Sequence, residues 1–234
     1  VLPALRAGAV LDDGAPQPEA LGRPLLGQVL VEIARIERAV AVGHGCEAGD
    51  PDQARIESAV RALNPTLTLV RPAAEWNMSR QQVLDYAHAE QVPVPSASAG
   101  RAGTDDAGWR ADVNLWGRTL KPLRALEPVP EAAFVETLTP RGTPKEVATV
   151  ELSFERGAPI GINGVPMPFV ELIQNLNAIA GAHGVGRVQA NGGWVEAPAA
   201  LVLHAAHRAL VTDRWSPELQ AFAKVVGKTY ADLV

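Results

Sequence analysis

The sequence predicts an α/β chain in two parts, a parallel α/β layer up to residue 95 and an α+β half over residues 96–234. Three observations carry this. Between Leu21 and Glu90, segments of helical and strand character alternate as helix, strand, helix, strand, helix, the order of a parallel layer. Val92-Pro93-Val94-Pro95 then interrupts the pattern. Beyond residue 145, a strand pair is followed by a run of helices.

The individual elements follow from local signals. Residues Val1 to Pro18 are rich in Ala, Gly and Pro and read as an irregular lead-in. From Leu21, an apolar face recurs at Leu25, Leu26, Val29, Leu30, Ile33 and Ile36, the spacing of a helix expected to bury that face. A short buried strand at Ala39 to Val42 ends at Gly43-His44-Gly45. Asp50, Pro51 and Gln53 form a helix start, with a capping residue, a proline suited to the first turn and a side chain able to reach back. A strand at Leu67 to Val70 comes next, and Ser79 with Gln82 opens another capped helix ending near Glu90.

Residues 96 to 145 show no steady period and are expected to wrap over another surface. Val147 to Phe154 alternates like a strand, turns at Glu155-Arg156-Gly157 and returns through Pro159 to Ile162, with a turn at Asn163-Gly164. Helices are expected over about 168–180 and 198–211, and from Ser216-Pro217-Glu218 onward.

Composition narrows the function classes. A net charge of -5 gives no electrostatic reason to expect nucleic acid or an anionic membrane as partner. No apolar run approaches the roughly 18 residues of a spanning helix. One cysteine, Cys46, excludes an internal disulfide framework and makes the cytoplasm the expected compartment. Val1 opens inside an apolar stretch and the chain stops after Ala231-Asp232-Leu233-Val234. Both ends read as cuts through a larger protein.

Several short blocks then carry a resemblance. They are Leu21-Gly22-Arg23-Pro24-Leu25-Leu26, Ala41-Val42-Gly43-His44-Gly45-Cys46, Asn114-Leu115-Trp116-Gly117-Arg118, Leu176-Asn177-Ala178-Ile179-Ala180-Gly181, His183-Gly184-Val185-Gly186-Arg187 and Glu196-Ala197-Pro198-Ala199-Ala200. Their content and order resemble the argininosuccinate synthase family. The resemblance implies that the first part is the C-terminal part of an adenine-nucleotide alpha hydrolase-like parallel layer. The second would be most of an α+β synthetase domain that binds substrate and multimerises. It also implies a ligase of arginine biosynthesis that joins citrulline to aspartate with ATP and Mg2+. ATP activates the citrulline ureido oxygen as an adenylate, and the aspartate amine displaces AMP.

Family positions map unevenly onto this chain. The resemblance places Gly45 on the nucleotide side, Asp52 against the aspartate amine, and Arg55 and Thr119 on the citrulline side. It assigns no catalytic residue. Glu47 stands where family members have Thr, and Pro51 where they have Asn. A carboxylate at the first position repels an anionic substrate, and proline at the second offers no side-chain hydrogen bond. On the citrulline side, Ala15 and Val195 replace tyrosines and Arg110 replaces a serine. The shortened stretch Val188 to Gly193 removes a glutamate. The family's Ser-Gly-Gly-Leu-Asp-Thr-Ser phosphate loop does not occur in the 234 residues.

Plainer readings stand beside these. His44 and Cys46 fit no zinc spacing, and no metal site is expected. His204 and His207 are expected on ordinary helix surface or in packing, and Trp116 in packing between the two halves. The Asp50 to Gln53 stretch is explained as a helix start whatever its ancestry. The favoured expectation is a protein of the ligase lineage that is inactive alone and binds no ATP alone. It is expected to form a homo-oligomer or to need a partner supplying the missing half, with small amino acids as ligands if active. A binding subunit completing a separately encoded partner and a repurposed enzyme of specialised metabolism remain as alternatives.

Overall fold

The computed structural model describes residues 1–11, 14–46, 48–76, 78–93, 109–122, 128–190 and 192–233. The chain forms two compact units, one of Val1–Glu19 with Gly100–Val234 and one of Ala20–Ala99.

In the smaller unit, β1 (Ala41–Gly43) and β2 (Thr68–Val70) pair in parallel, with Val42 opposite Leu69. Helix α2 (Pro18–Glu37) precedes them, α3 (Pro51–Leu63) connects them, and α4 (Pro72–Trp76) and α5 (Arg80–Ala89) follow. Two parallel strands need a crossover connection, usually a helix. Helix α3 starts where the sequence predicts, because Asp50 accepts from the Asp52 amide at 2.9 Å and Pro51 occupies the first turn. Helix α5 opens on a complete capping box, with Ser79 and Gln82 each accepting from the other's backbone N–H.

Most of the apolar face expected of α2 is exposed, with Leu30 alone of its residues packed on the core. Leu25 is 57% exposed and Ile36 64%, and Leu26, Val29 and Ile33 are exposed with them. The covered residues are small, Ala20 and Ala34, together with Gly27. A Cβ on Gly27 would lie 2.6 Å from Ala59 Cβ and 3.0 Å from the Ile56 carbonyl, so α2 meets α3 backbone to backbone. Small residues permit that approach, and apolar periodicity alone cannot tell which stripe makes it. The resulting core joins Ala34, Val42, Ile56 and Val60, with Leu30, Val31, Cys46, Leu67 and Leu69 packed around it.

The larger unit begins with a helix that the sequence does not signal. Leu2–Ala7 is a helix, α1, inside the stretch read as irregular, and it packs on the C-terminal helix α8 (Pro217–Leu233). Pro3 near its start suits a first turn, and Gly8 ends it in a left-handed conformation with φ 65°. The region expected to wrap without period contains a hairpin, β3 (Trp109–Asn114) and β4 (Gly117–Pro122). It joins β8 (Arg187–Ala190) and β9 (Gly193–Glu196) in an antiparallel sheet of order β3-β4-β9-β8. A second antiparallel sheet holds β5 (Leu152–Glu155), β6 (Ala158–Ile162) and β7 (Val165–Pro166). Residues 147–151, expected to begin that strand, lie outside it. Helices α6 (Phe169–Ala182) and α7 (Pro198–Arg214) pack together and bury Leu172, Ile173, Leu176 and Leu203. Burial of such side chains is worth about 1.5–3 kcal/mol each. Trp116 is buried edge-on against His204 of α7, a contact within the larger unit.

Candidate functional site

Two polar clusters stand out, one in each unit. The first gathers where β1 and β2 end. His44 follows β1 directly and Arg71 follows β2 directly. The carboxyl ends of parallel strands are where open α/β sheets place ligands. Between them sits Glu57 of α3, 4% exposed. Gln53 Nε2 donates to it at 2.8 Å and Arg61 Nη2 at 2.7 Å, while Arg71 Nη1 lies 3.7 Å away. His44 Nε2 lies 3.3 Å from Glu57 Oε1. Burial pushes the Glu57 carboxyl up, but the hydrogen bonds from Gln53 and His44 and the charges of Arg61 and Arg71 outweigh it and hold it below the ordinary value.

One turn earlier on α3, Asp52 is also buried. Arg23 Nε donates to it at 2.7 Å from α2, and Arg55 Nη1 lies 3.4 Å away. Two of the residues singled out from the sequence, Asp52 and Arg55, are thus brought together, and they engage each other. Gly45 lies in the loop between β1 and α3, and a Cβ there would meet nothing within 4 Å. Burial is the largest influence raising the Cys46 thiol above its ordinary value, followed by Asp50 and Asp52. A raised thiol argues against a nucleophilic role. Glu47 lies outside the described residues. An open groove of about 410 Å³ runs along α3 past Asp50, Gln53, Glu57 and Arg61, and neither Asp52 nor Arg55 lines it.

Thr119 belongs to the larger unit. It sits on β4 opposite Asp112 on β3 and Val195 on β9. Arg110 is opposite Lys121, one same-face step along the ladder. Residues opposed across a ladder share a face, so Arg110, Asp112, Thr119, Lys121 and Val195 all project from one side of the sheet. Lys121 Nζ pairs with Glu19 at 2.6 Å. Ala15 is fully buried in the same unit.

The opposite side of that sheet holds the second cluster. Glu196 is fully buried. It accepts from Arg118 Nη1 at 2.7 Å and from the backbone amides of Val135, Glu136 and Thr137 at 3.3, 3.0 and 2.9 Å. The Thr137 hydroxyl donates to it at 2.6 Å and accepts from Arg187 Nε at 2.6 Å. Arg187 also donates to the Thr137 carbonyl, pairs with Glu131 and lies over the Phe134 ring at 4.0 Å. The segment after the short 3-10 turn Glu131–Ala133 is thereby clamped to the sheet.

Sequence reasoning did not single out Glu57, Arg71 or Arg23: Arg23 meets Asp52 from another helix, and Glu57 joins its neighbours Gln53 and Arg61 on α3 to His44 and Arg71, which follow the two strands. Arg118, Arg187 and Glu196 were visible only as members of three separate sequence blocks. Among the described residues, no group of three or more His, Cys, Asp or Glu side chains could hold a metal ion. Nor is any described helix long and apolar enough to cross a membrane.

Comparison with known proteins assigns each part of the chain. Residues 1–93 match the Arginosuccinate synthase N-terminal HUP domain, an α/β class of domain, and residues 109–234 match the Arginosuccinate synthase C-terminal domain. The chain belongs to the argininosuccinate synthase family. Along its whole length it is 39% identical to the argininosuccinate synthase of Symbiobacterium thermophilum, of which it covers 60%. It is 39% identical to that of Rubrobacter xylanophilus, covering 58%, and 37% identical to that of Oceanobacillus iheyensis, covering 57%. The chain therefore spans under two thirds of the length of these curated relatives.

Proposed function

We propose that this chain carries amino-acid-side elements of the ATP-dependent citrulline–aspartate ligase lineage of arginine biosynthesis and does not complete that reaction by itself. The observation that supports this best is the single sheet face shared by Arg110, Thr119 and Val195. Family resemblance assigns these three positions to citrulline, which needs hydrogen-bond partners for its ureido group. Here one is a cation, one keeps a hydroxyl and one is apolar. A polar ligand facing lost partners binds far more weakly. Asp52 and Arg55, the other matched residues, retain the charges that amino-acid recognition requires.

The described residues do not fit ATP as a whole. Gly45 leaves open room where a nucleotide could approach. The start of α3, however, is already capped by the Asp50 carboxylate, which takes the place an anion would occupy. The test is pyrophosphate release with citrulline, aspartate, ATP and magnesium, alongside calorimetric titration of each ligand. Flat titrations and no release are expected; turnover by this chain would sink the proposal.

A second reading, a binding subunit completed by another chain, draws support from the exposed apolar face of α2 at Leu25, Val29, Ile33 and Ile36. It expects light scattering at high concentration to give a mass above that of a monomer. A clean monomer would count against it.

A further inference from the structure

We propose that Glu57 is a positioning residue for the Gly45 loop, acting through His44. The proposal rests on the reading that this loop faces ligand, but the device itself is argued from geometry alone. Both nitrogens of the His44 ring are committed. Nδ1 accepts from the Cys46 backbone N–H at 3.3 Å, and Nε2 lies 3.3 Å from Glu57 Oε1. A nitrogen that accepts carries no proton, so the proton of the neutral ring is on Nε2 and is donated to Glu57. A carboxylate can only accept, so Glu57 selects this tautomer. Without an acceptor at Nε2 the ring is free to carry its proton on Nδ1 instead. That N–H would then oppose the Cys46 N–H, and the bond closing the loop would be lost.

The bond spans Gly45. Its donor is on residue 46 and its acceptor on the side chain of residue 44, so the peptide group that follows Gly45 is held by the ring. Gly45 has open space around it and no side chain to fix its conformation, which makes an external restraint necessary. Glu57 is itself anchored. Gln53 and Arg61 hold it from one turn before and one turn after on α3, and Arg71 approaches from the end of β2. The His44 amide adds a backbone bond to Val70 at 3.2 Å. One buried carboxylate thus ties the residues that follow both parallel strands to the helix between them. Burial matters here, because a low local dielectric strengthens such a network and penalises any member left unpaired.

The experiment is nitrogen NMR of the His44 ring in the full chain, together with hydrogen exchange of the Cys46 amide, both without ligand. In the unaltered chain the ring should be protonated at Nε2 and bare at Nδ1. Glu57→Gln keeps an acceptor oxygen and should preserve this tautomer. Glu57→Ala should move the ring toward Nδ1 protonation and speed Cys46 exchange by about tenfold or more, with the bonded amides of Asn64 and Thr68 in the same unit unchanged as a fold control. An unchanged tautomer and unchanged Cys46 exchange in Glu57→Ala would overturn the proposal. Should that variant fail to fold, the unaltered chain still decides, since a His44 ring protonated at Nδ1 excludes the relay. Because no substrate enters these measurements, their outcome stays separate from whether the loop binds citrulline, aspartate or neither.

Discussion

Glu196 in the larger unit and Glu57 in the smaller are both buried carboxylates, yet one is held chiefly by backbone and the other by side chains. Glu196 takes three consecutive main-chain amides, a hydroxyl and one guanidinium. Glu57 takes an imidazole, an amide side chain and two guanidiniums, two of whose side chains reach solvent. Backbone donors cannot swing away, so the first arrangement fixes a segment against a sheet. Side-chain donors can exchange partners, so the second ties loops together while leaving them adjustable. The difference suits a clamp in the larger unit and an adjustable loop in the smaller one.

The largest expected effect breaks the clamp. Glu196→Ala should lower the stability of the larger unit by about 3–5 kcal/mol, because it leaves Arg118 buried without its partner and three amides unsatisfied. Urea denaturation followed by tryptophan fluorescence reads this, since Trp116 and Trp194 lie in that unit. Glu57→Ala should cost clearly less, because the side chain of Arg61 is 61% exposed and rehydrates. Equal losses would erase the distinction between the two carboxylates.

A buried polar group with no partner supplies the contrary case. His204 Nε2 and Trp116 Nε1 are buried without a hydrogen-bond partner among the described residues. Burial, and then the charges of His207 and Arg208, push His204 down to about 4. The unfolded ring protonates near its ordinary 6.5, so the unfolded state binds the proton first as pH falls. Stability is therefore full above about pH 6.5 and declines as pH drops toward 4, by on the order of 3 kcal/mol in all. His207 is shifted down by burial and acts in the same direction. His204→Leu should flatten most of that slope when urea midpoints are compared at neutral and mildly acidic pH. A slope unchanged in the variant would assign the acid sensitivity elsewhere.

Local signals were legible in the sequence and long-range ones were not. The Ser79–Gln82 box needs only residues three positions apart and occurs as the sequence predicts, whereas at Asp50 the cap forms to the Asp52 amide and Gln53, expected to reach back, donates to Glu57 instead. The β3–β4 hairpin was missed because its stability comes from pairing with β9, more than seventy residues away. The buried side of α2 was misjudged because close approach at Gly27, not apolar area, chooses the contact. Among site residues, the sequence offered Asp52 and Arg55 but gave no sign that Arg23 would complete their cluster. The convergence of Arg118, Arg187 and Thr137 around Glu196 needs the sheet register before it can be seen.

A smaller effect sharpens the backbone side of the comparison. Asp50 satisfies one main-chain amide at the start of α3, where Glu196 satisfies three. Asp50→Ala should therefore cost about 1 kcal/mol, a fraction of the Glu196 loss. A chemical denaturation midpoint of the smaller unit is the measurement, and a loss above that of Glu57→Ala would show the cap, not the carboxylate network, to be its main anchor.

The smallest effect concerns the exposed capping box of α5, where two bonds of unequal length face each other. Gln82 Oε1 accepts from the Ser79 amide at 2.8 Å, whereas Ser79 Oγ accepts from the Gln82 amide at 3.4 Å. The first distance is that of a well-formed N–H···O bond and the second is beyond the usual 2.7–3.2 Å range. Both groups are open to water, which replaces either bond at little cost. Ser79→Ala and Gln82→Ala should each cost only about half a kcal/mol. Geometry nevertheless ranks them, with Gln82→Ala the more damaging, although the N-cap serine is ordinarily the stronger arm of such a box. Hydrogen exchange of the Ser79 and Gln82 amides separates the two. Faster exchange at Ser79 in Gln82→Ala than at Gln82 in Ser79→Ala is expected, and the reverse order would mean that the cap hydroxyl closes on its amide in solution.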